Sequence, residues 1–143
     1  LSVKLSLALS ECDLKNKSAY KIMEFIRKRL KSLQYVFQGL FYLIKNEPPV
    51  MVHIVISLIW VILGFCFGIT TNEWIVQLLC IAIVLSVEGL NTAVEKLCDF
   101  IHPDHHKTIG IIKDVAAGSV GFAVIPVSVV LCIIYYPYVM KLF

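Results

Sequence analysis

The stretch WIVQLLCIAIVLSVEGLNTAVEKLCDF, residues 74–100, begins as a membrane segment and ends as a charged one. Trp74 to Val87 carries no Lys, Arg, Asp or Glu. Glu88, Glu95, Lys96 and Asp99 then arrive without a proline to break the run. The spacing predicts one helix that leaves the hydrocarbon through its charged end, with its spanning part over 74–98. Glu88, Asn91, Glu95 and Asp99 stand at i, i+3, i+7 and i+11. At roughly 100° per residue they share an arc of about 80° on one face.

Two more apolar runs flank this helix. Residues 50–69 hold no Lys, Arg, Asp or Glu, and His53 is their titratable group, so they form a first span. Within them, Gly64 and Gly68 make a GxxxG, a weak sign of close helix contact. Residues 114–136 form a third span, uncharged after Asp114 and expected to kink at Pro126. Residues 70–73, TTNE, are expected as a tight polar turn, and 101–112 as a polar connection. Upstream, residues 24–46 place Phe25, Ile26, Leu30, Leu33, Phe37, Leu40, Phe41 and Ile44 at three- and four-residue spacing. Arg27, Lys28, Lys31 and Lys45 fill the opposite side, which suits an amphipathic helix lying in the membrane surface. Pro48-Pro49 ends it. The fold class is therefore all-α integral membrane: three transmembrane helices preceded by an N-terminal amphipathic surface helix. Residues 1–23 are an extension with no assigned function, and 24–143 form the functional domain. Residues 1–9 are too short and too charged at Lys4 for a convincing signal peptide.

Composition agrees. The 143 residues are 59% hydrophobic and 16% charged, against about 45–50% and about 25% in soluble domains. This excludes a disordered chain and a secreted disulfide scaffold. The five cysteines are scattered and form no CxxC, so they are expected to pack as small hydrophobes. Nine of the 13 Lys and Arg precede residue 50. A basic segment joined to a hydrophobic remainder points to anionic lipid and not to nucleic acid. The basic residues put the N-terminus and the 101–112 connection on the cytoplasmic side.

Carboxylates at membrane depth cost about 2.5–3.5 kcal/mol each near the centre, so three on one face need a compensating partner. A divalent cation is the natural one, since carboxylate, water and phosphate oxygens make the usual Mg²⁺ shell. The plainer alternative is pairing with Lys96 or Lys107 at the water boundary. Asp104, His105, His106, Lys107, Lys113 and Asp114 add polar groups near the same surface. Lys113 is suited to phosphate oxygens, and Asp114 to a metal or to orienting Lys113. His102, His105 and His106 match no strong zinc pattern. No GxxxxGK[ST], GxGxxG or GxSxG occurs, which removes sequence support for P-loop, Rossmann and serine-hydrolase chemistry.

The run EGLNTAVEKLCD (88–99), followed by His106 and KDVAAG (113–118), resembles the signature of the small prokaryotic diacylglycerol kinases, a family that includes undecaprenol kinases. The similarity extends over about residues 25–140, through the basic first helix, Glu47 and the three spans. It implies a homotrimer with composite active sites that moves the γ-phosphoryl of ATP, with Mg²⁺, to a lipid alcohol at a bacterial inner membrane. By motif position, Glu88 resembles the general base, and Glu47 and Glu95 the metal-binding carboxylates. Lys28, Tyr35, Glu47, Asn91, Glu95, Asp104, His105, His106, Lys113 and Asp114 resemble nucleotide-binding positions. Lys28, Glu88 and Ala117 resemble lipid-substrate positions, and Asp99 an organising one. Glu47 departs from the pattern in being followed by Pro48-Pro49, where the family often has an aromatic residue or Asn. His53 and the small residues after Lys113-Asp114 lean to the undecaprenol-kinase branch, but the acceptor stays open between diacylglycerol and undecaprenol. Two other readings compete: an ion or proton conduit along the acidic face, and a membrane assembly subunit with impaired catalysis. The first is weakened by the charge-free outer halves of the spans.

Overall fold

A computed structural model describes residues 2–104 and 106–142, with side chains described from residue 20 on. The chain is four helices: α1 (Ser2–Asn46), α2 (Pro48–Phe67), α3 (Thr71–Ile101) and α4 (Lys107–Met140). α2, α3 and α4 are each long and apolar enough to cross a membrane. The chain divides into two units, Leu1–Tyr42 and Leu43–Phe143.

In the first unit, the helix expected over 24–46 is continuous with the residues before it. No proline or glycine lies between Ser2 and Met23 to interrupt it. From Tyr20 on, nearly every side chain is exposed, Phe25, Leu30, Phe37 and Phe41 among them. So much uncovered apolar surface along one helix calls for a lipid or protein neighbour.

The second unit is built on α3, which packs along α4 and, less extensively, against α2. Its interior inverts the usual order. Gln77, Glu88 and Thr92 are buried, whereas Ile62, Phe65, Phe122, Ile125 and Ile133 face outward. Lipid makes that arrangement favourable, because apolar side chains gain little by turning inward and polar ones lose much by turning outward. The buried apolar cluster is Ile69, Leu131, Ile134 and Tyr135, with Trp60, Leu63, Phe67, Trp74 and Tyr138 packed on it. Ser57, Ser119 and Ser128 return their hydroxyls to carbonyls four residues back, at 2.7, 3.0 and 2.8 Å, so these hydroxyls carry no unmet donor.

The connections are tighter than the hydropathy pattern suggests. Residues 70–73 are the start of α3 and not a free turn. Thr70 and Glu73 form a capping box, with the Glu73 carboxylate accepting from the Thr70 N–H at 2.7 Å and the Thr70 hydroxyl accepting from the Glu73 N–H at 3.4 Å. α2 stops at Gly68, whose φ of 62° is left-handed and favours glycine. The GxxxG thus splits into two jobs. Gly68 makes the turn, and Gly64 lies under the Trp74 ring, where an added Cβ would come within 2.8 Å. The expected 101–112 connection shrinks to 102–106, because Lys107–Ile112 joins α4. α4 runs past both Pro126 and Pro137 without a break in its helix. Cys80 and Cys98 are buried free thiols, whereas the free thiols of Cys66 and Cys132 are exposed, and the Cys12 side chain lies outside the described residues.

Candidate functional site

The acidic half of α3 lies at the end of the second unit away from the aromatic cluster. It meets the start of α2 and the start of α4. The Glu88 side chain is only 5% exposed, and its Oε2 stands 3.6 Å from His53 Nε2 on α2. One turn on, Asn91 donates through Nδ2 to Glu95 Oε1 at 3.1 Å. One turn further, Asp99 Oδ1 accepts from Lys113 Nζ on α4 at 2.6 Å. Thr92 is buried beside this face. The helical spacing therefore does what the sequence predicts: Glu88, Asn91, Glu95 and Asp99 succeed one another along one side.

Glu47 enters from the α1–α2 junction. It is the residue before Pro48-Pro49, with φ −117° and ψ 98°, and its side chain caps nothing. An N-cap carboxylate accepts from the N–H groups of the first helical turn, and two of those positions are prolines without one. The proline pair thereby leaves the Glu47 carboxylate available, and Lys96 Nζ takes it at 2.7 Å. Lys96, which the sequence offers as a partner for the acids of its own helix, thus reaches the α1–α2 junction.

The 102–106 connection is held by its histidines. His102 donates from Nδ1 to the Asp104 carbonyl at 3.0 Å, and His106 Nδ1 accepts from the Thr108 N–H at 3.3 Å, capping α4. That capping bond fixes the His106 tautomer with Nε2 as the free donor. The two rings are 5.2 Å apart. Asp104, Asp114 and Ala117 are exposed. His105 lies outside the described residues. In the first unit, Tyr35 and Lys28 are exposed on α1. Glu24 pairs with Lys28 at 2.8 Å, and its hydrogen bond and charge hold that ammonium above the usual lysine range.

A hard cation suits this chemistry, although the residues do not form a closed cage. Among the described residues, no three His, Cys, Asp or Glu side chains converge as a metal set. The Asn91 carbonyl oxygen is buried without a hydrogen-bond partner among the described residues, next to a carboxylate. An orphaned oxygen acceptor at that place fits a cation or a donor group brought by a ligand. Mg²⁺ commonly uses one or two carboxylates and completes its shell with water and substrate phosphates.

Comparison with known proteins assigns a family to this geometry. The family model for prokaryotic diacylglycerol kinase matches residues 34–135. The chain is 33% identical over 101 residues to an undecaprenol kinase of Bacillus subtilis (strain 168), covering 70% of this chain and 82% of the relative. It is also 33% identical over 101 residues to a diacylglycerol kinase of Haemophilus influenzae (strain ATCC 51907 / DSM 11121 / KW20 / Rd), covering 71% and 86%. The match takes in all the acids and amides of α3 and its partners on α2 and the start of α4, and the chain belongs to the prokaryotic diacylglycerol kinase family, a family of membrane lipid kinases.

Proposed function

We propose that this protein transfers the γ-phosphoryl group of MgATP to the hydroxyl of a membrane lipid alcohol, diacylglycerol or undecaprenol. The burial of Glu88 within reach of His53, in line with Asn91, Glu95 and the Asp99–Lys113 pair, carries this reading. Phosphoryl transfer depends mostly on positioning and charge neutralisation, and a lipid hydroxyl is a poor nucleophile. Glu88 accepts the hydroxyl proton as the oxygen approaches phosphorus. Lys113 gives its ammonium to phosphate oxygens, with Asp99 setting its direction. Glu47, Glu95 and the orphaned Asn91 oxygen would hold the cation, which would offset phosphate charge when bound. His106 offers Nε2, and Asp104, His105 and Asp114 are assigned to nucleotide by resemblance. Lys28 and Tyr35 are assigned to nucleotide, and Ala117 to lipid, by resemblance.

The kinase domain spans 24–143 on this reading, and 1–23 is an extension with no assigned function. The acidic end faces the cytoplasm of a bacterial inner membrane, where ATP is available. Exposure of Asp114 and Ala117 is what a homotrimer with shared sites asks of α4. Purified protein in lipid nanodiscs with MgATP and either lipid tests the reaction. The parent should phosphorylate at least one, and Glu88→Gln should lower turnover by about 10²–10⁴-fold, the span of general-base catalysis. Undiminished turnover of that variant removes Glu88 from the mechanism.

A further inference from the structure

His53 occupies a boundary. Its Nε2 is 3.6 Å from Glu88 Oε2, and the same side chain lines a cavity of about 290 Å³ between α2, α3 and α4. The rest of that lining is mostly apolar, including Ile56, Trp60, Val84 and Leu131. The nearby Ser57 hydroxyl bonds the His53 carbonyl at 2.7 Å and is not spent on the ring. The imidazole is therefore a polar group with a buried carboxylate on one side and hydrocarbon on the other. At 3.6 Å the pair is within ion-pair reach but longer than a hydrogen bond, as contacts at a reaction site are before substrate closes them.

A carboxylate can serve as a base only when one oxygen is turned to the incoming proton. A buried side chain with several torsions needs a neighbour to fix that direction. The geometry assigns His53 as a positioning residue for Glu88: by engaging Oε2 it turns Oε1 to the acceptor hydroxyl, at the polar end of the apolar cavity. The assignment rests on Glu88 acting as the base. It predicts that reach matters more than ring chemistry. A glutamine amide can place its nitrogen near the Nε2 position, whereas the shorter asparagine amide cannot. Both are neutral and polar; asparagine is the poorer helix former, so the melting temperature of each variant is measured beside its kcat to separate a folding loss from the loss of contact with Glu88.

His53→Gln and His53→Asn, compared with the parent in nanodiscs under saturating MgATP, decide the point. The asparagine variant should lose about tenfold or more in kcat with the KM for MgATP unchanged, the expected cost of a misdirected base. The glutamine variant should stay within about threefold of the parent. His53→Asn should cost nothing further on a Glu88→Gln background, since the two residues act as a unit. Equal kcat for the two His53 variants, or an undiminished loss on the Glu88→Gln background, overturns the assignment. If Glu88→Gln alone turns over normally, the base itself is misassigned and the function reading fails first.

Discussion

The two ends of the second unit handle polar groups in opposite ways. At the end formed by Phe67, Thr70 and Tyr138, each polar group is shared among several partners. Gln77, fully buried, donates to the Trp60 carbonyl at 3.0 Å and accepts from the Tyr135 hydroxyl at 2.7 Å. The Tyr135 hydroxyl also lies 3.0 Å from that Trp60 carbonyl. Glu73 Oε2 accepts from Thr70 and from the Tyr138 hydroxyl at 2.7 Å. Trp60 and Phe67 ring centroids stand 5.1 and 5.8 Å from Tyr135, closing the space around the network. At the acidic end the same helices make pairs: His53 with Glu88, Asn91 with Glu95, Lys96 with Glu47, Lys113 with Asp99. One amide oxygen there has no partner among the described residues. A satisfied network rigidifies a helix bundle, and isolated pairs can be exchanged for ligand contacts. One end clamps α2, α3 and α4 together; the other is left chemically open.

That division implies that substitutions separate cleanly into loss of turnover and loss of stability. The largest effect is expected at the open end. Lys113→Met removes an ammonium assigned to phosphate and should lower kcat by about 10²-fold, the scale for one charge-stabilising group. Its pair with Asp99 is exposed, at 36% and 63%, so the melting temperature in detergent should barely move, since water screens such pairs and they add little to stability. A variant that melts much earlier while its surviving fraction works normally would place Lys113 among the structural residues and break the contrast.

At the clamp the opposite is expected. Gln77→Leu keeps the volume and removes both hydrogen bonds. Tyr135 keeps the Trp60 carbonyl as its acceptor, so no hydroxyl is stranded. Interhelical hydrogen bonds in membranes average about 0.6 kcal/mol and reach about 1.7, and the variant should be destabilised within that range. Turnover per folded protein at low temperature should equal the parent's. A loss of kcat without a loss of stability would mean that the two ends are coupled.

Much of this contrast is legible in the amino-acid sequence. Hydropathy places three spans, because lipid demands long apolar runs whatever the fold. The period of α3 aligns Glu88, Asn91, Glu95 and Asp99, because positions on one helix are fixed by local geometry. The Pro48-Pro49 stop is equally local. What sequence leaves hidden is the pairing between elements. Nothing in the spacing of Lys96 and Glu47, or of His53 and Glu88, says that they meet, since that depends on how α2 settles against α3. The boundaries shift for a related reason. Thr70-Thr71-Asn72-Glu73 reads as a turn by polarity, yet the same residues satisfy the first N–H groups of a helix. Lys107–Ile112 belongs to α4, which His106 caps, leaving a connection held by the His102 and His106 bonds.

The smallest expected effect tests how redundant the clamp is. Thr70→Ala deletes an N-cap hydroxyl, a change that typically costs about 0.5–2 kcal/mol. Here the hydroxyl accepts from the Glu73 N–H at a long 3.4 Å, so little is lost on that side. Glu73 Oε2 keeps two other donors, the Thr70 N–H and the Tyr138 hydroxyl, both at 2.7 Å. The carboxylate is therefore not stranded, and the acidic residue stays in the first turn of α3 where the helix dipole favours it. Destabilisation at the low end, about 0.5 kcal/mol, with normal turnover is the expected outcome of detergent melts and nanodisc assays. Removing Tyr138's hydroxyl as well, in Thr70→Ala/Tyr138→Phe, should cost more than the two single changes added together, because each partner covers for the other's absence. Simple additivity would show that the capping box and the α4 contact act separately, and that this end is a set of independent pairs like the acidic one.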